Sequence, residues 1–155
     1  MFYIKENFIT KKECEDFILM SKSPSEKMRL KYDFDNNPLW EERLVYITEH
    51  PIVKKVQKHF KDIFNFDLKI DEAQIQNWII GSNSPLHTHI RRPTVRYNSL
   101  LYLNDNYDGG EFKTEFLSLK PQPGMLTLFD GQKTLHGLNT VKNKDRFTII
   151  FWWKK

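Results

Sequence analysis

Cysteine is nearly absent from this chain. Only Cys14 occurs among its 155 residues. A single thiol excludes an internal disulfide, and it excludes zinc sites and iron–sulfur clusters that are built on several cysteines. Such scarcity is typical of proteins from a reducing compartment, so we expect a cytoplasmic protein.

Long hydrophobic runs are also missing. No stretch of about 18 apolar residues occurs, which argues against a transmembrane helix. Charged residues interrupt the apolar residues of the first segment, MFYIKENFITKKE, so we expect neither a secretory signal nor a membrane partner. The length of 155 residues predicts one domain over 1–155, able to bury a core without disulfides.

Charge of either sign is not in large excess. The formal net charge is +4, and the surplus centres on Arg91, Arg92 and Arg96 in the segment IRRPTVRYN. A nucleic-acid-binding protein usually carries a basic stripe with interleaved aromatic residues. Outside this segment the basic residues are scattered, so a nucleic-acid partner is not expected. The three arginines are candidate contacts for an acidic substrate or a phosphate backbone, and an ordinary surface loop explains them equally well.

The first part of the chain predicts helices. Thr10, followed three residues later by Glu13, forms a capping box that predicts a helix over 10–21. A second helix is expected over 51–64, where apolar residues recur at helical spacing. Its predicted buried face consists of Ile52, Val53, Val56, Phe60 and Ile63.

The remaining segments predict loops and strands. Residues 21–38 are polar and rich in turn formers, which predicts a loop, whereas residues 39–50 are compatible with either helix or strand. From residue 70 the apolar residues alternate instead, in AQIQNWII, YNSLLYLN, EFKTEFLSLK, GMLTLF and RFTIIFWW. A helical part over about 1–66 and a strand-rich part over about 70–155 predict an α+β domain, an antiparallel sandwich or barrel with helices on one side.

Three of the five histidines lie in the strand-rich part. His87 and His89 are two residues apart, so in an extended strand both imidazoles point to the same face. His136 follows the next apolar run and a short loop, which can return it to that face. Three imidazoles on one side of an ion leave positions open for a substrate. Spacing alone does not decide the matter, because such a pair is equally compatible with surface or core histidines.

Five sequence elements follow one another over residues 70–155: the triplet His87-Thr-His89, then SLLYLNDNYDGGEF, then KPQPGMLTLFDG, then His136 with GLNTV, and Arg146 ten residues after His136. This order and spacing resemble the prolyl 4-hydroxylase-like family, whose members are 2-oxoglutarate- and Fe(II)-dependent oxygenases. The helix containing ECEDFI resembles the N-terminal helix of that family. The resemblance implies a double-stranded β-helix, also called a jelly roll and similar to the cupins.

The resemblance also implies roles for single residues. His87 and His136 match the two histidine ligands of iron, and Arg146 matches the cation that binds the distal carboxylate of 2-oxoglutarate. Tyr102 matches a tyrosine that contacts this co-substrate, and Trp78 stands where the family carries a pocket tyrosine. Without the histidines, the sequence favours a solvated strand-end charge for Arg146 and a core ring for Tyr102.

Alternation in the last strand adds a further candidate. In RFTIIFWW, period-two spacing turns Arg146, Thr148, Ile150 and Trp152 to one face. A cation at the base of a pocket can therefore share a wall with apolar side chains and one indole. Trp152 is for this reason a candidate substrate contact.

The chain departs from the family at one ligand. The resemblance calls for Asp two residues after His87, where this sequence has His89. Three neutral imidazoles leave a ferrous ion at a net charge of +2, instead of the +1 that remains with two histidines and a carboxylate. Three outcomes are open: iron bound by three histidines and active, a weakly held divalent metal, or a site without turnover.

The resemblance implies a dioxygenase that uses Fe(II), 2-oxoglutarate and O₂, with ascorbate as a candidate auxiliary reductant. It implies as substrate a prolyl residue of a peptide or protein, with other peptidyl groups, amino acids or nucleotides left open. Two alternatives stand beside it: a catalytically silent jelly-roll binding module, and a three-histidine dioxygenase that works without 2-oxoglutarate. The oligomeric state does not follow from the sequence.

Overall fold

The computed structural model of the chain describes residues 1–22, 27–32 and 38–155. Within these ranges the chain forms two helices, α1 (Lys11–Ser21) and α2 (Pro51–Phe64). The first strands are β1 (Phe2–Lys5), β2 (Lys27–Tyr32), β3 (Pro38–Tyr46), β4 (Lys69–Trp78), β5 (Ser84–His87), β6 (Val95–Tyr102) and β7 (Asp108–Gly109). The remaining strands are β8 (Phe112–Thr114), β9 (Ser118–Leu119), β10 (Leu126–Asp130), β11 (His136–Leu138), β12 (Val141–Lys142) and β13 (Arg146–Lys154).

Both predicted helices are confirmed, together with the signals that start them. The Thr10 hydroxyl accepts a hydrogen bond from the Glu13 backbone N–H at 3.1 Å, and the Glu13 carboxylate accepts one from the Thr10 N–H at 2.8 Å. Helix α2 begins after His50, whose ring nitrogen accepts from the backbone N–H of Ile52. In the part of the chain described, neither helix is long and apolar enough to cross a membrane.

The strands form two facing sheets, which confirms the predicted jelly roll. The larger sheet has seven strands in the order β1-β10-β6-β13-β4-β3-β2, and the smaller has four in the order β5-β11-β8-β9. Neighbouring strands pair antiparallel throughout the described residues. Strands β12 and β7 form a separate two-stranded ladder.

The expected division into a helical first part and a strand-rich second part is wrong in one respect. Strands β1, β2 and β3 all come from the first 66 residues, and all three join the larger sheet. Segment 39–50, which was ambiguous, begins as a strand. Strands β1 and β2 escape detection because edge strands tolerate short, lysine-containing sequences without a hydrophobic run. Strand β2 lies within the predicted loop, of which 23–26 and 33–37 are outside the described residues.

The central strand β13 separates the core from a cavity. It pairs with β4 on one side and β6 on the other. One face of the strand packs with the two helices in the main hydrophobic core, through Phe147, Ile149 and Phe151. The opposite face turns toward the smaller sheet, and Arg146, Ile150 and Trp152 line the cavity there. Both helices lie on the first face, as predicted.

One predicted core residue is misplaced. Ile52, Val53, Val56 and Phe60 of α2 are buried, but the Ile63 side chain is 46% exposed. In this last turn the next residue, Phe64, packs against the core instead, so the buried face of the helix continues through Phe64 and not through Ile63.

Phe60 and Ile63 therefore give a test of how the helix packs. We expect Phe60→Ala to lower the free energy of unfolding by about 3–5 kcal/mol, because the ring is fully buried. Ile63→Ala should lower it by less than about 1 kcal/mol, since the side chain is already largely in water. Urea denaturation of both variants measures the difference, and equal losses would contradict this packing.

Candidate metal centre

A cavity of about 110 Å³ lies between the two sheets. The larger sheet contributes Gln76, Trp78, Leu100, Phe129, Arg146, Ile150 and Trp152 to its wall. The smaller sheet and the loop after β5 contribute Ser84, His87, His89, Phe112, His136, Gly137 and Leu138. Histidine and arginine therefore share an otherwise largely apolar cavity.

Three histidines converge on this cavity. His87 ends β5 and His136 begins β11, and the two are directly paired across these strands. His89 lies in the loop after β5, where its backbone N–H donates to the Gly131 carbonyl at 2.8 Å. The ring centroids lie 4.6 Å apart for both pairs that include His136, and 5.2 Å apart for His87 and His89. One ligand atom from each residue lies within 4.8 Å of the others.

Backbone carbonyls orient the two strand histidines. The Nδ1–H of His87 donates to the Pro85 carbonyl at 2.9 Å, and the Nδ1–H of His136 donates to the Thr134 carbonyl at 2.7 Å. A carbonyl oxygen can only accept, so Nδ1 carries a proton in both rings and Nε2 is the nitrogen that can bind a metal. This arrangement is typical of metal-binding histidines.

The third imidazole is oriented by a side chain. His89 Nδ1 lies 2.8 Å from Asn98 Oδ1. Its Nε2 lies 3.2 Å from the Nε2 of His136. Two nitrogens bound to one ion at about 2.0–2.1 Å are separated by about 2.8–3.4 Å, so the observed separation fits shared ligation.

The charge state of the buried ring also suits a ligand. Burial, with a smaller contribution from the neighbouring His89 and His87, lowers the pKa of His136 to about 3, against the raising effect of the Thr134 carbonyl. The imidazole is therefore neutral at physiological pH, as metal ligation requires. Three neutral nitrogen donors suit iron, cobalt, nickel or zinc, and leave part of the coordination sphere open.

A cation with unused donors lies in the same cavity. The Arg146 side chain is almost fully buried, and its guanidinium lies over the Tyr102 ring at 5.4 Å from the centroid. Among the described residues, Arg146 Nε, the Tyr102 hydroxyl and the Thr148 hydroxyl are buried without a hydrogen-bond partner. Burial raises the pKa of Tyr102, so its hydroxyl keeps its proton and can donate. These groups fit a carboxylate such as that of 2-oxoglutarate.

The two candidate tryptophans both line the cavity. Trp78 is the cross-strand partner of Arg146, and its indole N–H donates to the Gln76 side-chain oxygen at 3.3 Å. Trp152 lies six residues after Arg146 on β13, on the same face of the strand. Trp78 is therefore at the arginine end of the cavity, and Trp152 is at the other end.

The three loop arginines do not act as a group. Arg91 is exposed. The Arg92 guanidinium lies over the Trp152 ring at 4.8 Å from its centroid. Arg96 pairs instead with Asp130, Nε to Oδ2 at 3.2 Å. Of these three side chains, Arg92 is thus the one that contacts a cavity-lining residue, Trp152.

Sequence reasoning missed several residues of the site. Asn98 orients His89, Gln76 lines the cavity, and the rings of Phe112 and Phe129 pack against His136 at 5.9 Å and 4.7 Å. The alternation of β4 and β6 was a usable signal, because polar residues at every second position of a buried strand point to a cavity or site.

Solved structures share this fold. An oxidoreductase of the 2-oxoglutarate-Fe(II) oxygenase family from Burkholderia pseudomallei has a TM-score of 0.80 at 14% identity, over 99% of this chain and 84% of that one. The viral collagen prolyl hydroxylase of Paramecium bursaria Chlorella virus-1, in complex with 2-oxoglutarate, has a TM-score of 0.75 at 18% identity, over 99% and 94%. The chain has the fold of the 2-oxoglutarate/Fe(II) oxygenases. The resemblance seen in residues 70–155 is confirmed at the level of the fold, with prolyl hydroxylases among the structural neighbours.

The matching part of a curated relative is short. Prolyl 3-hydroxylase 2 of Mus musculus is 37% identical over 65 residues, which cover 37% of this chain and 9% of that protein. No family model matches the sequence. Because this relative is a prolyl 3-hydroxylase, the expected prolyl 4-hydroxylase specificity stays a prediction.

Metal titration tests the three-histidine centre directly. We expect the chain to bind one Co(II) ion, and His136→Ala to lower the affinity more than tenfold, because it removes a ligand. His59→Ala is the matched control: His59 bonds the Tyr3 hydroxyl at 3.0 Å and contacts aromatic rings outside the cavity. Isothermal titration calorimetry measures both, and equal affinities in the two variants would contradict the assignment.

Proposed function

We propose that this chain is a non-haem Fe(II)/2-oxoglutarate-dependent dioxygenase that hydroxylates a prolyl residue of a peptide or protein. The observation that carries the proposal is the joint presence, in one cavity, of three converging imidazoles and a buried arginine with an unpartnered Nε. The fold shared with 2-oxoglutarate-dependent oxygenases supports the same reading.

The residues divide into a metal end and a co-substrate end. His87, His89 and His136 would hold Fe(II) through their Nε2 atoms, and Arg146 and Tyr102 would bind the distal carboxylate of 2-oxoglutarate. When bound, iron and 2-oxoglutarate supply an oxidative decarboxylation that yields succinate and CO₂ and adds one oxygen atom of O₂ to the substrate as a hydroxyl group. The protein's part is to fix the open positions and exclude bulk water.

Neighbouring side chains pack closely around Arg146 and restrict the position of its guanidinium group. The Tyr102 ring lies under the guanidinium, and Tyr107 is buried beside it. Burial raises the pKa of the Tyr107 hydroxyl, and the positive charge of Arg146 partly opposes this effect. A Cβ at position 110 would lie 2.8 Å from the Tyr107 ring and 3.3 Å from Arg146 Cδ, so Gly110 lets these groups pack closely. A guanidinium confined in this way offers its free donors to one carboxylate geometry.

The other end of the cavity is suited to a substrate. Trp152 forms part of the wall there, and Arg92 covers the outer ring face from the loop that follows His89. An apolar wall beside a cation fits a small ring embedded in a polar chain, such as a prolyl residue in a peptide. The collagen prolyl hydroxylase among the structural neighbours and the prolyl 3-hydroxylase relative support this choice of substrate.

Succinate formation tests the proposed reaction. The purified chain, supplied with Fe(II), 2-oxoglutarate, O₂, ascorbate and a proline-containing peptide library, should form succinate and add one oxygen atom to some peptides. NMR measures succinate, and mass spectrometry identifies the modified peptides. His136→Ala and a library with alanine in place of proline are the controls. Succinate formation no faster than in His136→Ala would refute a dioxygenase activity.

Arg146 gives a second, independent test. We expect Arg146→Ala to weaken 2-oxoglutarate binding more than tenfold, because a charge-assisted bond is lost and the carboxylate is left unpaired. Metal affinity should stay nearly unchanged, since Arg146 is not a ligand. Titration of 2-oxoglutarate into the Co(II)-loaded proteins measures the effect, and unchanged affinity for 2-oxoglutarate would show that another group binds it.

A catalytically silent binding module is the second candidate. The observation that favours it is the donor set, which has His89 where the related oxygenases are expected to carry a carboxylate. This candidate predicts that metal and 2-oxoglutarate bind without succinate formation. The same titrations and the same succinate assay therefore separate the two functions.

A further inference from the structure

We propose that Asn98 is the positioning residue that makes His89 a metal ligand, and that Gly131 provides the space this requires. His89 differs from the other two histidines in its support. His87 and His136 stand on paired strands and donate to carbonyls two residues away in sequence. His89 stands in a loop, and its ring is held by a residue on another strand.

Asn98 is built into the sheet at the point where this support is needed. It lies on β6, is fully buried, and pairs with Phe129 of β10 and Trp152 of β13. Its Oδ1 is 2.8 Å from His89 Nδ1. Its Nδ2 is buried and has no hydrogen-bond partner among the described residues. A buried amide with unsatisfied donors is unfavourable in a protein core. Its presence is explained if the amide oxygen is needed as the hydrogen-bond acceptor for His89.

Gly131 completes the arrangement. A Cβ built at this position would lie 2.0 Å from Asn98 Oδ1 and 2.9 Å from His89 Nδ1, closer than any side chain can approach. The Gly131 carbonyl accepts the His89 backbone N–H at 2.8 Å, and its own N–H donates to the Arg96 carbonyl at 2.9 Å. The glycine thus holds the His89 backbone from one side while leaving room for the bond between His89 and Asn98.

The consequence is a defined tautomer. With Asn98 Oδ1 as acceptor, His89 carries its proton on Nδ1, and Nε2 is the nitrogen available for ligation, 3.2 Å from the Nε2 of His136. Loss of this acceptor removes the hydrogen bond that selects the Nδ1–H tautomer of the His89 imidazole. The metal-binding half of this inference rests on the proposed function, whereas the tautomer belongs to the metal-free chain.

Three variants test the role of Asn98. Asn98→Leu removes the acceptor at similar size and should weaken Co(II) binding about 10- to 100-fold, the usual effect of losing a group that orients a ligand. Asn98→Asp keeps an acceptor and should restore the affinity to within a few-fold of the unmodified chain. Asn77→Leu is the matched control, because Asn77 is also buried on the larger sheet but faces away from the cavity.

Long-range ¹H–¹⁵N NMR spectra of the metal-free proteins supply the second readout. We expect His89 to be protonated on Nδ1 in the unmodified chain, in Asn98→Asp and in Asn77→Leu, but not uniformly in Asn98→Leu. A general loss of stability would affect Asn77→Leu equally and would not alter one tautomer. Gly131→Ala should impair Co(II) binding strongly, and less so when Asn98→Ala is also present, since the closer of the two clashes, with Asn98 Oδ1, is then removed.

The outcomes separate the two claims. If Co(II) binds and depends on Asn98 but no succinate forms, the positioning role stands and the proposed dioxygenase function fails. If the unmodified chain binds no Co(II), the metal-binding half of the inference fails together with that function. An Asn98→Leu variant with unchanged tautomer and unchanged Co(II) affinity would overturn the positioning role by itself.

Discussion

Strand β13 is buried on both faces, and the alternation of its side chains decides where chemistry can occur in this fold. Phe147, Ile149 and Phe151 pack toward the helices, whereas Arg146 and Ile150 face the cavity. A slip of one residue in register would turn the cation into the hydrophobic core and the aromatic rings into the cavity. Such a slip is prevented because β13 pairs along most of its length with both β4 and β6.

The cavity combines a buried positive charge with uncharged metal ligands. Arg146 supplies a buried guanidinium group, while burial lowers the pKa of His136 and keeps its imidazole neutral. No carboxylate is among the three clustered ligand residues in the described part of the chain. A divalent ion held by these histidines would keep its full charge. Together with Arg146 it would favour binding of an anionic ligand such as a dicarboxylate.

Much of the fold could be predicted from the sequence, and the errors occur where local sequence signals do not determine the structure. The capping box at Thr10 and the apolar spacing in 51–64 locate both helices correctly, because those signals are local. Strands β1 and β2 were missed since short edge strands need no hydrophobic pattern of their own. Ile63 was assigned to the core because helical spacing is compatible with either Ile63 or Phe64 following Phe60 on the buried face, and packing selects Phe64.

The sequence by itself determined which groups are available: three histidines, Arg146, and the alternation that places Arg146 and Trp152 on one face. These follow from residue identity and from period-two strand geometry, and neither requires knowledge of distant contacts. Only the tertiary structure decided that Asn98 supports His89, since that contact joins a loop to a strand and depends on the space left at Gly131. Whether an imidazole can ligate is set by its partner at Nδ1, and that partner is chosen by packing.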